Sequence, residues 1–162
     1  MAKVARDLTE IIGRTPLVRL NVISDETGVE VLGKLEACNP GGSIKDRAAY
    51  YMVKDAENKG ILKKGSTIIE STSGNTGIAL ALICAIRGYR LMITMPDTMS
   101  VERRNLLRAY GAQVILTPGK DGMKGAIATA EKLRDETEGA VILGQFDNPA
   151  NAKSHFETTA VE

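Results

Sequence analysis

One lysine of this chain stands where a glycine-containing loop meets a helix. The stretch Asn39–Arg47 reads Asn-Pro-Gly-Gly-Ser-Ile-Lys-Asp-Arg. Glycines permit positive φ and close backbone approach, so Lys45 is presented at a tight loop-to-helix transition. An amine in such a position can act as a nucleophile or base and can form a Schiff base with a carbonyl compound. The alternative is that Lys45 and Arg47 are surface charges beside Asp46, which is the commoner situation for a lysine.

A second loop contains the donors that an anion requires. Ser71–Gly77 reads Ser-Thr-Ser-Gly-Asn-Thr-Gly and lies between the β-branched run Thr67–Glu70 and the apolar run Ile78–Ile86. This order predicts a strand-to-helix junction, where unpaired N–H groups and the helix dipole favour a phosphate or carboxylate. Uncharged side-chain donors are added by Thr72, Ser73, Asn75 and Thr76. A plain capped turn is the alternative, because turns and N-caps prefer the same residue types.

From residue 66 onward, strand-like and helix-like runs alternate. Strands are predicted at Ser66–Glu70, Arg90–Met95, Val114–Leu116 and Val141–Leu143. The helices between them end near Gly88, extend from about Ser100 to about Gly111, and extend from about Met123 to Arg134. Such a repeat predicts an α/β fold, a parallel sheet with helices on both faces and right-handed crossovers. An earlier helix is predicted over Ala48–Lys59.

Both ends of the chain depart from this repeat. Thr15–Leu20 and Glu30–Glu36 resemble strands joined by a Gly-containing turn, and we assign them to another sheet. Ala150–Glu162 is predicted to be a helix, and its last residues include no Gly, no Pro and no basic last turn. An uncapped ending suggests a cut chain, although many natural helix ends also lack a recognisable cap.

The bulk composition is that of a globular protein. The 162 residues, 43% hydrophobic and 25% charged, suffice for one domain with a sizeable core. A net charge of +1 and an aromatic content of 4% argue against a nucleic-acid-binding protein. We expect neither secretion nor membrane insertion, because the N-terminus has no apolar signal core and no apolar run approaches the ~20 residues of a membrane span.

The cysteines and the histidine are poor material for a metal site or a disulfide framework. Cys38 and Cys84 lie far apart with no CxxC pair, and His155 is the only histidine of the sequence. Cys84, in an apolar run, is interpreted as a core residue, and for Cys38 we favour a small packing residue over a reactive thiol. The sequence therefore predicts no metal site and fits a reducing, cytoplasmic location.

Five stretches resemble one enzyme family. The lysine motif, followed downstream by Thr-Ser-Gly-Asn-Thr-Gly at the head of a helix, is the most specific pair. Supporting motifs lie at Ile12–Val18, Met95–Arg104 and Gln145–Asn151. Over nearly all of its length, the chain resembles the cysteine synthases (O-acetylserine sulfhydrylases), which are fold-type II pyridoxal-phosphate enzymes. The forms around the lysine and the asparagine are closest to cysteine synthase and cystathionine β-synthase.

The resemblance implies a role for each motif residue. Lys45 would be the catalytic lysine and form the Schiff-base link to pyridoxal 5'-phosphate, and Asn75 would hydrogen-bond the phenolic oxygen of this cofactor. The α-carboxylate of the amino-acid substrate would be bound by Thr72, Ser73, Gly74, Asn75, Thr76 and Gln145. The Ser71–Gly77 loop would then bind a carboxylate, and the cofactor phosphate would bind elsewhere.

The implied reaction is a β-replacement that makes L-cysteine. The Lys45 amine would remove the Cα proton of O-acetylserine, acetate would leave from Cβ, and sulfide would take its place. The resemblance also suggests a homodimer and, for some members of the family, a serine acetyltransferase partner that inserts its C-terminal tail into the active site.

The resemblance also divides the chain. Residues 1–45 would belong to the larger domain of the family fold, 46–151 would form the smaller βα domain, and 152–162 would lead into a C-terminal half absent from this sequence. That half supplies the Gly/Thr-rich loop for the cofactor phosphate and the polar contact to the pyridine nitrogen. Thr15–Glu36 would lack its sheet neighbours, so we expect it to be disordered, repacked on the small domain, or paired with another chain.

Three hypotheses follow. The first is a cysteine synthase, or a related β-replacement enzyme such as cystathionine β-synthase, represented by its N-terminal part and active only with the rest. The second is a stand-alone binding module without catalysis. The third is a βα domain for a nucleotide, which the absence of a GxGxxG or Walker lysine pattern disfavours. A reading frame that continues past Glu162 would favour the first hypothesis over the second.

Overall fold

Between residues 4 and 162, the range that this computed structural model describes, the chain forms six strands and six α-helices. Residues 1–3 of the predicted N-terminal part lie outside the described residues. The strands are β1 (Leu17–Arg19), β2 (Leu32–Lys34), β3 (Thr67–Ser71), β4 (Arg90–Pro96), β5 (Gln113–Thr117) and β6 (Val141–Ile142). The helices are α1 (Asn21–Thr27), α2 (Lys45–Asn58), α3 (Asn75–Arg87), α4 (Val101–Ala109), α5 (Gly122–Glu136) and α6 (Pro149–Ser154).

The last four strands form the predicted parallel sheet, in the spatial order β5-β4-β3-β6. Strand β3 is central and pairs with β4 along its whole length, and Ile68 and Ile69 also pair with β6. Thr67–Glu70 are all buried, as expected for a strand with helices on both faces of its sheet. The predicted α/β fold class is confirmed.

The strand order reverses at β3. Strands β4 and β5 follow on one side of β3, whereas β6 returns to its other side. Because parallel crossovers are right-handed, α3 and α4 cover one face of the sheet, and α5, which contacts all four strands, covers the other. In sheets of this kind, ligands bind at the carboxyl ends of the strands where the order reverses. The topology therefore predicts a ligand site at the carboxyl ends of β3 and β6.

Helix α2 connects the lysine loop to this scaffold. Its buried face, including Ala49, Met52 and Val53, packs against α3 and α6. Burying side chains such as Met52 and Val53 stabilises the fold by roughly 1.5–3 kcal/mol each. The helix begins at Lys45, earlier than the predicted start at Ala48, because Ile44 already has helical dihedrals (φ −56°, ψ −22°). Lys45 is therefore the first residue of a helix that the core anchors.

The other boundaries of the repeat lie close to their predicted positions. Helix α3 ends before Gly88, which has φ +74° and donates its N–H to the Cys84 carbonyl. Helix α4 begins after Ser100, whose hydroxyl accepts the N–H of Arg103. None of the helices between residues 4 and 162 has the length and apolar character that a membrane-spanning helix needs.

The C-terminal segment differs from the continuous helix predicted over Ala150–Glu162. Helix α6 is short and is followed by a π-helical turn at His155–Thr159. The wider turn coincides with hydroxyl groups that bond to the backbone of the preceding turn: Ser154 Oγ donates to the Asn151 carbonyl and Thr158 Oγ1 to the Ser154 carbonyl. Such bonds compete with the regular helical pattern.

The N-terminal strands form a separate antiparallel pair, as predicted, but helix α1 joins them instead of a turn alone. The Gly of the predicted turn, Gly28, is the left-handed C-cap of that helix. The alternatives expected for Thr15–Glu36, disorder among them, stay predictions, and in the structure the segment forms this antiparallel pair. Its apolar side chains are 40–51% exposed, namely Leu17, Val18, Leu20, Leu32 and Leu35. This pair therefore has little apolar packing of its own.

A buried arginine ties the strand pair to α2 and to the C-terminal segment. The Arg47 side chain, 1% exposed, pairs with Glu36 at 2.8 Å and with Glu162 at 2.5 Å. Lys34 of β2 also pairs with Glu162, at 2.5 Å. Hydrogen bonds from Arg47 hold the pKa of Glu162 below its ordinary value and lower that of Glu36 to about 2. The network therefore stabilises the fold above about pH 4.5, the ordinary range of a glutamate, and this contribution is lost as the pH falls towards 2.

We predict that Arg47→Met lowers the free energy of unfolding by about 3 kcal/mol at pH 7, because it leaves two poorly exposed carboxylates without their shared cation. Urea unfolding followed by circular dichroism measures the change. Lys59→Met is the control: Lys59 pairs with Asp55 on the surface at the end of the same helix, and its loss should cost less than about 1 kcal/mol. Equal losses for the two variants would contradict the central place of Arg47.

Candidate functional site

A cavity of about 400 Å³ lies at the carboxyl ends of β3 and β6. Its volume is within the usual range of small-molecule sites. Its lining includes every predicted site residue, which are Lys45, Thr72, Ser73, Gly74, Asn75, Thr76 and Gln145. Three segments that are distant in sequence therefore meet at the point where the strand order reverses.

Lys45 brings an amine to this cavity. Its side chain is half-buried, and within residues 4–162 no hydrogen bond or ion pair engages its Nζ atom. Its backbone N–H donates to Ser43 Oγ at 3.2 Å. Burial lowers the pKa of His155, and the positive charges of Lys45 and Arg47 lower it further. Because no carboxylate or carbonyl of the described residues engages the Lys45 amine, it is available to react with a ligand.

The loop before Lys45 is locked to the first turn of α2 by a buried carboxylate. Asp46 is fully buried, and its Oδ2 accepts the N–H of Gly41. Its Oδ1 has no hydrogen-bond partner in the described part of the chain. A Cβ on Gly41 would lie 2.5 Å from that oxygen, so only glycine fits there. Burial raises the pKa of Asp46 to about 6, although the Gly41 N–H opposes the change.

The loop between β3 and α3 presents free backbone donors. Thr72 continues the sheet ladder by donating its N–H to the Thr94 carbonyl at 3.2 Å. Gly74 then begins α3 as an N-cap without a side-chain hydrogen bond. The N–H groups of Asn75 and Thr76 find no acceptor among residues 4–162. These two donors, at the positive end of the α3 dipole, suit a carboxylate.

Gln145 reaches the same loop from the end of β6. Its Oε1 accepts the hydroxyl of Thr76 at 2.6 Å, and its backbone carbonyl accepts Asn151 Nδ2 at 2.8 Å. With Oε1 engaged, the Nε2 group of Gln145 is left to donate to a ligand. The Thr76 hydroxyl, predicted as a carboxylate donor, gives its proton to Gln145, so Thr76 has only its N–H to offer.

A buried glutamate holds the turn that contains Gln145. Glu70, near the end of β3, is 4% exposed and accepts the N–H of Gly144 at 3.1 Å. Burial raises the pKa of Glu70, and the backbone N–H groups around Gly144 oppose that rise. The carboxylate thereby connects the end of β3 to the turn after β6, across the point of strand reversal.

Four further residues line the cavity although they were not predicted as site residues: Ile44, Ser71, Met123 and Phe146. Ile44, Ser71 and Phe146 adjoin predicted residues, and this adjacency was the available signal. Met123 enters from the start of α5, and nothing in its sequence context indicated a place in the cavity. Phe146 is 88% exposed, so the rim of the cavity presents an uncovered aromatic ring.

Comparison with known proteins places this geometry in a family. The family described as pyridoxal-phosphate dependent enzyme matches residues 8–162. A cysteine synthase from a Flavobacterium species is 57% identical over 153 residues, covering 94% of this chain and 50% of that protein. The chain spans about half the length of the curated relatives it matches.

Solved structures also match this chain over nearly its whole length and over about half of their own. The crystal structure of a hydrogen sulfide-producing enzyme from Fusobacterium nucleatum has a TM-score of 0.93 at 49% identity, covering 99% of this chain and 52% of that chain. The structure of O-ureido-L-serine synthase also has a TM-score of 0.93, at 51% identity, covering 98% of this chain and 50% of that chain. Proteins whose names indicate different reactions therefore share this half of the fold.

We predict that Asp46→Asn removes a pH-dependent loss of stability. An unfolded aspartate titrates near 3.8 and folded Asp46 near 6, so the folded state binds the extra proton and loses stability as the pH rises between these values. The difference corresponds to roughly 3 kcal/mol at most. Urea unfolding of both proteins from pH 4 to 7 should show the gap between them changing by up to this amount.

The matched control for this experiment is Asp55→Asn, at a partly exposed position of the same helix, which should not reproduce the change. Curves for the unsubstituted protein and Asp46→Asn that stay parallel from pH 4 to 7 would contradict the assignment of a buried, hard-to-ionise carboxyl to Asp46.

Proposed function

The chain belongs to the pyridoxal-phosphate dependent enzyme family, and from this premise we propose that it supplies the lysine and the carboxylate-binding half of a cysteine synthase active site. The family expected from the five motifs is confirmed. The observation that carries the proposal is the single cavity that unites Lys45, the Ser71–Thr76 loop and Gln145. If these residues only stabilised the fold, the Lys45 amine and the N–H groups of Asn75 and Thr76 would not need to be left without partners among residues 4–162 at one cavity.

The residues of the cavity fit pyridoxal phosphate on the side of its reactive carbonyl. Lys45 would hold the cofactor through its Nζ atom, which has no competing partner among residues 4–162. Asn75, exposed at the start of α3, would donate to the phenolic oxygen. When bound, the cofactor supplies an electron sink for negative charge that develops at the substrate Cα.

The α-carboxylate of the amino acid would bind at the start of α3. Its oxygens would accept the N–H groups of Asn75 and Thr76 and the Nε2 group of Gln145, with the hydroxyls of Thr72 and Ser73 nearby. Gly74 lets the backbone approach the ligand. The Lys45 amine, released when the substrate amino group takes its place on the cofactor carbonyl, would then remove the Cα proton from within the same cavity. The chain would thus both orient the substrate and move its proton.

We propose O-acetylserine as the first substrate and sulfide as the nucleophile that replaces acetate at Cβ. What supports this choice is the similarity of the chain to cysteine synthases, among them the Flavobacterium enzyme that is 57% identical over 153 residues.

The remaining parts of the site are proposed to come from a C-terminal half. Within residues 4–162, the lining of the cavity includes no second glycine-rich loop for the cofactor phosphate. The exposed apolar side chains of β1 and β2 would pack against that half. On this proposal, residues 1–45 join the larger domain, 46–151 form the smaller one and 152–162 connect them. A homodimer, a serine acetyltransferase partner and a cytoplasmic location stay predictions of the family resemblance.

We predict that this chain alone, incubated with pyridoxal phosphate and then desalted, keeps no visible absorption band and makes no cysteine. Co-expression with the C-terminal half of the Flavobacterium relative, which is about twice as long as this chain, should restore both. Lys45→Ala should abolish the restored band, and Lys54→Ala, on the same helix outside the cavity, should not. The chain alone is expected to be inactive because the loop that binds the cofactor phosphate is proposed to lie in the C-terminal half.

Two results would contradict the proposal in different ways. A band that survives desalting of the chain alone and disappears in Lys45→Ala would show that the half-site suffices. A restored enzyme whose band and cysteine production are unchanged by Lys45→Ala would remove Lys45 from the reaction.

A further inference from the structure

The side chain of Arg103, which lies outside the cavity, binds the backbone of the Ser71–Gly77 loop. Arg103 is exposed in the first turn of α4, and its Nη1 donates to the Ser73 carbonyl oxygen at 2.6 Å. It does not line the cavity itself. Helix α4 belongs to the next strand-helix unit of the sheet, so this contact joins two successive βα loops.

The contact fixes one peptide unit. The carbonyl of the Ser73–Gly74 peptide accepts from Arg103, and the N–H of the same peptide donates to Thr72 Oγ1 at 3.2 Å. Because a trans peptide is planar, its carbonyl and N–H point in opposite directions, and engaging both sets the orientation of the plane. A rotation of this plane would bring the Ser73 oxygen towards the anion that the loop is proposed to bind, and the two would repel.

The arginine is itself held in place by its helix. Ser100 caps α4 by accepting the Arg103 N–H at 3.4 Å. The neighbouring Arg104 donates from Nη2 to the carbonyls of Asp97 and Met99, the latter at 2.6 Å. The first turn of α4 is thereby tied to the loop that follows β4. The backbone of Arg103, in this turn, is therefore held in place, and its side chain extends from there to Ser73.

We propose that Arg103 is a positioning residue for the substrate carboxylate, acting through the Ser73–Gly74 peptide. It keeps the Ser73 carbonyl turned away from the ligand and so leaves the N–H groups of Asn75 and Thr76 free to bind it. Its positive charge, close to Gly74, also favours an anion at this loop. The inference rests on the proposed function, since it assumes that the loop binds a carboxylate.

The first test uses the chain as it is. Arg103→Gln is compared with Arg108→Gln, whose arginine is exposed on the same helix and makes no side-chain hydrogen bond or ion pair within residues 4–162. Amide hydrogen exchange should become about 5-fold to 10-fold faster at Thr72 and Gly74, the loop residues whose N–H groups have acceptors, in Arg103→Gln only, as expected for the loss of one hydrogen bond. The melting temperature of Arg108→Gln should match that of the unsubstituted chain, because this site is on the surface.

The second test uses the enzyme restored by co-expression with a C-terminal half. Arg103→Gln should raise KM for O-acetylserine about 3-fold to 10-fold with kcat changed less than 2-fold, and Arg103→Lys should recover part of the loss. Arg108→Gln should leave KM unchanged. A purely structural contact would not produce this separation of KM from kcat together with rescue by lysine.

Two outcomes overturn the inference: exchange at Thr72 and Gly74 that is the same in the two glutamine variants, or an unchanged KM in Arg103→Gln. Failure of the proposed function has a different signature. In that case the restored and unsubstituted protein would not act on O-acetylserine at all, and the exchange comparison would still report on the Arg103 contact. An enzyme that is active but insensitive to Arg103→Gln therefore refutes the positioning role alone.

Discussion

The reversal of strand order at β3 determines where the polar groups of this chain can meet. Because β4 and β6 lie on opposite sides of β3, the loops that leave β3 and β6 diverge and open a crevice at their carboxyl ends. Helix α2, packed on α3 and α6, places its first residue, Lys45, at this crevice. Without the reversal, the amine, the α3 N-terminus and Gln145 would have no common space.

Polar groups around the crevice are organised by their neighbours. Glu70 holds the turn of Gln145, Asp46 locks the lysine loop, and Arg103 engages the loop that begins α3. Each of these residues acts on backbone groups, and the N–H groups of Asn75 and Thr76 and the Nε2 group of Gln145 are left without an acceptor among residues 4–162. The arrangement has the character of a preorganised anion site in which binding requires little rearrangement.

The fold class and the proposed site residues could be predicted from the sequence, but from different kinds of signal. The α/β repeat followed from apolar periodicity and glycine stops, because these reflect local geometry and burial. Lys45 and Gln145 became connected only through the family resemblance, since no local signal shows that α2 and the turn after β6 meet. The helix between β1 and β2, the π-helical turn after α6, and the roles of Met123 and Arg103 were missed. They depend on side-chain hydrogen bonds and packing between elements, which spacing along the chain does not reveal.

If the crevice presents Lys45 to a carbonyl cofactor, this lysine should form a Schiff base with pyridoxal phosphate in preference to other lysines. The chain is mixed with pyridoxal phosphate and reduced with borohydride, and the modified lysines are located by peptide mass spectrometry. Reduction traps weak complexes, so the experiment does not require tight retention. We predict modification concentrated at Lys45 over Lys54, which lies on the same helix against Tyr50 and outside the cavity. Equal modification of the two lysines would show that the crevice does not select Lys45.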